Sequence, residues 1–88
     1  MDDVSPGSDG SESAAPDFET FYATHLQSVA RAVALAFGHV DVARQATDEA
    51  FVRTLEAWPR VSRMESPAGW TYRVALNAAK RRPVLLID

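Results

Sequence analysis

The residues best suited to chemistry lie in the last third of the chain. Trp70 and Tyr72 sit among Arg60, Arg63, Arg73, Lys80, Arg81 and Arg82. Cationic side chains attract phosphate in a salt-dependent way, and aromatic faces can stack on unpaired bases. Asn77 adds an amide that can donate and accept at a base edge. The same pattern also suits a solubilising face around a core tryptophan. Trp70 is in helical register with Val74 and Ala78, which favours a core place for it.

Catalytic sets do not stand out. There is no Gly-rich phosphate loop and no Ser/His/Asp set with supporting context. His25 and His39 lie fourteen residues apart, and a histidine on an apolar stripe is usually packed core rather than a metal ligand. Asp48 and Glu49 are adjacent, so on a helix they diverge by about 100° and cannot share a substrate. A solvated face or a protein contact is the expected role for them. The chain holds no cysteine, which excludes a disulfide framework and a thiolate metal site. The expectation is a protein that is not an enzyme and needs no cofactor.

The elements that must position these residues are helical. Residues 1–16 are rich in Ser, Gly, Pro and Asp, and are expected to form a disordered acidic leader. Asp17 is a suitable N-cap for a first helix, and Gly38 a suitable end. Between them Phe18, Phe21, Tyr22, His25, Leu26, Val29, Val33 and Phe37 recur at helical spacing. A second helix is expected after Asp41, with Ala43, Ala46, Ala50, Phe51, Thr54, Leu55 and Trp58 inward and Pro59 as its stop. Residues 59–66 read as a loop. Ser66-Pro67 opens a third helix, with Trp70, Val74, Ala75 and Ala78 inward and Arg73, Asn77, Lys80 and Arg81 outward. Pro83 closes it, and 83–88 form a short tail. The fold class is therefore all-α, a small three-helix bundle over residues 17–82.

Net charge is −3, but it is unevenly spread. Residues 1–58 carry ten acids and three bases, whereas 59–88 carry six bases and two acids. A basic end can bind phosphate even in an acidic chain, because the local field decides. No apolar run approaches the roughly 18 residues of a membrane span. The acidic N-terminus is unlike a signal peptide, so a cytoplasmic location is expected.

The order of three segments resembles region 2 of an extracytoplasmic-function sigma factor of the sigma-70 family. ETFYATHLQSVARAVALAFG is similar to region 2.1, RQATDEAFVRTLEAW to region 2.2, and SPAGWTYRVALNAAKRR to region 2.4. The resemblance covers about three quarters of the chain, and the last segment is its most specific part. It implies a helical bundle that binds the β′ clamp helices of RNA polymerase and the non-template strand of the −10 promoter element. Polymerase-facing positions would be Gln45, Asp48, Glu49, Val52 and Arg53, with Phe51 as buried support. Val61, Ser62 and Arg63 would belong to a loop that captures a flipped base, next to Arg60. Tyr72, Arg73, Asn77, Lys80 and Arg81 would face promoter DNA or support the reading surface. An anti-sigma factor is a further partner of the family, and no membrane is implied.

The chain also departs from that pattern. The family commonly has Gln where Asp48 stands, an acid where Gln45 stands, and an aromatic near Val61. Family members also carry region 4, a helix-turn-helix domain, whereas this chain ends at Asp88. A second expectation stays open for these reasons. It is a truncated or decoy module that binds polymerase or an anti-sigma factor without reading a promoter.

Overall fold

The computed structural model describes residues 17–82; the expected leader over 1–16 and tail over 83–88 lie outside the described residues. The described part is all-α, as expected. Four helices run in order: α1 (Phe18–Phe37), α2 (Val40–Glu56), the single turn α3 (Trp58–Val61) and α4 (Pro67–Arg81). No helix among them is long and apolar enough to cross a membrane.

Local chemistry explains most of the boundaries. The Asp17 carboxylate accepts from the Thr20 backbone N–H at the start of α1. Gly38 ends α1 with φ of 76° and donates its N–H to Ala34 O at 2.7 Å. That left-handed conformation is the one glycine adopts without a Cβ penalty. Ser66 caps α4 by accepting from the Gly69 N–H at 3.0 Å, and Pro67 fills the first turn. A Cβ on Gly69 would come within 2.8 Å of the Ser66 Oγ, so the absence of a side chain there leaves room for the cap.

Two boundaries differ from expectation. The N-cap of α2 is His39, which makes no side-chain cap bond, and Asp41 sits inside the first turn. There its charge still complements the helix dipole. Pro59 does not close α2. That helix ends at Glu56, and Pro59 lies in the first turn of α3, where a missing N–H leaves nothing unpaired. Arg60 and Val61 both donate backbone N–H groups to Ala57 O, at 2.9 and 2.8 Å. The expected loop 59–66 is thus partly helical.

The core is aromatic at one end and small at the other. Phe21 contacts Phe51 (5.8 Å between ring centroids) and Trp58 (4.9 Å), while Phe18 meets Trp58 edge-on at 5.4 Å. His25 is half-buried against the Phe21 ring at 4.8 Å. Farther along, Ala43, Ala46 and Ala50 of α2 share the core with Ala75, Ala78 and Ala79 of α4. Small side chains let helix axes approach closely, and α2 and α4 form the most extensive helix pair. Between them Thr54 and Thr71 are fully buried, with hydroxyl oxygens 2.8 Å apart. Each oxygen also lies within bonding distance of its own helix, at Ala50 O (2.8 Å) and Pro67 O (3.0 Å).

The inner face of α4 is therefore Thr71, Ala75, Ala78 and Ala79 rather than a stripe centred on Trp70 and Val74, which are only half-buried. Leu55 was expected inside α2, but it is 53% exposed.

Candidate nucleic-acid interface

One flank of α4 gathers its cationic and amide side chains. Trp70, Arg73, Asn77, Lys80 and Arg81 follow the three- and four-residue steps that align side chains on a helix. Arg73, Asn77, Lys80 and Arg81 are exposed, and Trp70 is half-buried. Neither α3 nor α4 contains an acidic residue. Lys80 and Arg81 occupy the last turn of α4, where positive charge is favoured by the helix dipole. The flank continues onto α3, because the Arg60 guanidinium lies 5.6 Å from the centroid of the Trp70 ring. A cation over an aromatic face at this distance is attracted by the ring quadrupole. The result is a row of cations and one amide, with an aromatic edge at one end.

The sequence-derived DNA-facing residues do not all join this row. Val61 is fully buried, so its side chain offers no surface for a base; this corrects its expected role. It is instead the buried residue of α3, next to the exposed Arg60. Ser62 is half-buried and Arg63 exposed, in turns that follow α3. Tyr72 packs against the core cluster. Two residues from Trp70, it leaves α4 on nearly the opposite flank. Trp70, expected as core, is thus the aromatic residue of the row.

The five residues expected to face polymerase divide into two rows. Gln45, Glu49 and Arg53 repeat every four residues along α2 and turn toward the end of α4. The Glu49 carboxylate binds three guanidinium groups: Arg82 at 2.8 Å, Arg81 at 2.9 Å and Arg53 at 3.1 Å. Arg82 also donates to the Gln45 Oε1 at 3.2 Å. Asp48 and Val52 turn the other way. With Phe18, Tyr22, Phe51 and Leu55 they line an open groove of about 320 Å³ between α1 and α2. Tyr22, Val52 and Leu55 are exposed there.

Sequence reasoning missed Tyr22 and Leu55 as surface residues. The signal was available for Leu55, since Asp48, Val52 and Leu55 follow the spacing i, i+4, i+7. No group of three or more His, Cys, Asp or Glu that could hold a metal ion occurs among the described residues. Compared with known proteins, the chain matches no family model, and no curated protein or solved structure shows significant similarity to it.

Proposed function

We propose that residues 17–82 act as a sigma-factor-like region 2 module in DNA-templated transcription initiation. The α3–α4 flank would meet the −10 promoter element, and the α1–α2 groove would meet the β′ clamp helices of RNA polymerase. The observation that carries this reading is the acid-free row Arg60, Trp70, Arg73, Asn77, Lys80 and Arg81, which two helices present together. Cations along the row neutralise backbone phosphates. Asn77 can read a base edge, and the half-buried indole of Trp70 can stack on a base unpaired by melting. The groove supports a partner-binding role, because Tyr22, Val52 and Leu55 expose apolar surface side by side.

A second reading is an interaction module that engages polymerase or an anti-sigma factor without reading DNA. The engagement of Arg81 by Glu49 favours it, since that arginine is then partly withdrawn from phosphate. Polymerase-dependent opening of a −10 promoter fork separates the two. Asn77→Ala is expected to weaken opening by roughly ten-fold, in line with 1–3 kcal/mol for a specific base contact, and Arg73→Ala to weaken it for every promoter sequence, as the loss of a phosphate contact does. Unchanged opening in both variants would remove the promoter-reading assignment. Capture of a β′ clamp fragment by the same variants would then support the second reading.

A further inference from the structure

Three arginines on one carboxylate are more than that carboxylate can neutralise. Arg53 and Arg81 both place an Nη2 on the same Glu49 oxygen, Oε2, at 3.1 and 2.9 Å. Arg82 takes the other oxygen at 2.8 Å. The group retains two positive charges, and the Arg53 and Arg81 side chains are 53% and 57% exposed, with donors left over. Glu49 and Arg82 are only 29% and 30% exposed, so that pair sits beneath while Arg53 and Arg81 lie outside. The cluster adjoins the end of the α4 row. Like-charged guanidinium groups converge in this way around an anion, and a phosphate carries oxygens suited to the same forks.

We propose that Arg53, Arg81 and Arg82 form a binding site for a nucleic-acid phosphate, and that Glu49 is the internal anion that occupies it until a polyanion competes. The site rests on the reading of the α4 flank as a nucleic-acid surface, and it extends that surface across to α2. Glu49 holds down affinity for nucleic acid in the unbound chain. A partner that draws Glu49 away strengthens it.

The test is a double-substitution cycle on the full chain. Binding of a fluorescent single-stranded oligonucleotide is measured by anisotropy across a salt series, without polymerase. Glu49→Gln is expected to tighten binding about five-fold at low salt and to steepen the log–log salt slope by about 0.7, the increment for one added single-strand phosphate. Arg81→Gln alone should weaken binding about two-fold, because Arg81 belongs to the row but is partly held by Glu49. Arg81→Gln added to Glu49→Gln should abolish most of the gain. Asp48→Asn removes the same charge one residue away, outside the cluster, and should give less than half the gain.

Equal gains from Glu49→Gln and Asp48→Asn would overturn the proposal, as would a gain that survives Arg81→Gln. Thermal melts establish that each variant folds. Should Glu49→Gln not fold, Glu49→Asp, which shortens the reach to the guanidinium groups, takes its place in the cycle, and a gain that is absent or that survives Arg81→Gln overturns the site. A positive cycle with a promoter fork that stays closed would retain the phosphate site and remove the promoter reading. A fork that opens in an Asn77-dependent manner, with a flat cycle, would do the reverse.

Discussion

Gly38 and Ser66 show how single residues set where the helices stop and start. At Gly38 the backbone holds φ of 76°, and a Cβ built there would meet nothing within 4 Å. The cost of a side chain is therefore conformational and not steric crowding by neighbours. Gly38→Ala is expected to destabilise by about 1 kcal/mol. In a domain of this size that lowers the melting temperature by roughly 4–8 °C. Gly38→Asn should cost less, because asparagine tolerates the left-handed region better. At Ser66 the relevant atom is Oγ, which accepts from the Gly69 N–H. Ser66→Ala is expected to cost about 1 kcal/mol, and Ser66→Asp to restore most of it. Thermal unfolding followed by circular dichroism checks both series. These caps were legible in the sequence because each depends on one residue type at one position. The bonds from Glu49 to Arg81 and Arg82 were not legible. They join residues 32 and 33 positions apart, and no local rule pairs them.

Among the elements, α2 has two accessible sides and one buried side. Ala43, Ala46, Thr47, Ala50, Phe51 and Thr54 are buried. Glu49 and Arg53 lie toward the end of α4, and Asp48, Val52 and Leu55 lie toward α1. The inward face of α2 was readable from its alanines, except at Leu55, which is exposed, and at Thr47, which is buried although it was not expected inward. Hydrophobicity predicts burial, yet a large apolar residue at the edge of the buried arc can stay exposed. The reverse error affected α4. Trp70 carries far more apolar surface than Thr71, but Thr71 is buried, with Thr54 as its hydroxyl partner. Pro59 was ambiguous for a different reason. Its missing N–H is equally compatible with the end of one helix and the first turn of the next. On the proposed reading, Val52→Asp or Leu55→Asp should weaken binding to a β′ clamp fragment by at least ten-fold. Melting temperature should change little, since both side chains are more than half exposed. Loss of folding together with binding would instead assign these residues to the core. Calorimetric titration alongside thermal melts distinguishes the two results.

At the scale of the whole molecule, charge and apolar surface are segregated. The cationic flank has no acid on α3 or α4 and meets Glu49 only at its Arg81 end, whereas the groove is apolar with Asp48 at its rim. The two surfaces should therefore respond differently to salt. If the flank neutralises about four phosphates of a single strand, log affinity should fall against log salt with a slope of about −3. Arg73→Ala should reduce that slope by about 0.7, for every oligonucleotide sequence tested. Binding at the groove should vary far less over the same range, because burial of apolar surface is not screened. A salt series with an oligonucleotide and with a clamp fragment would show whether one protein contains both behaviours.

The seam between α2 and α4 is lined largely by alanines, and alanines offer little to tell one helical turn from the next. Thr54 and Thr71 are the exception, since their hydroxyls meet at 2.8 Å in the buried interior. A slide of α4 by one turn, about 5.4 Å, would part the two oxygens and leave each with only the carbonyl of its own helix. The pair therefore acts as an index mark that fixes how far along α2 the other helix rests. Because the groove belongs to α1 and α2, and the cationic flank to α3 and α4, this buried contact, together with the Glu49 pairs at the far end of α4, sets the offset between the molecule's two surfaces.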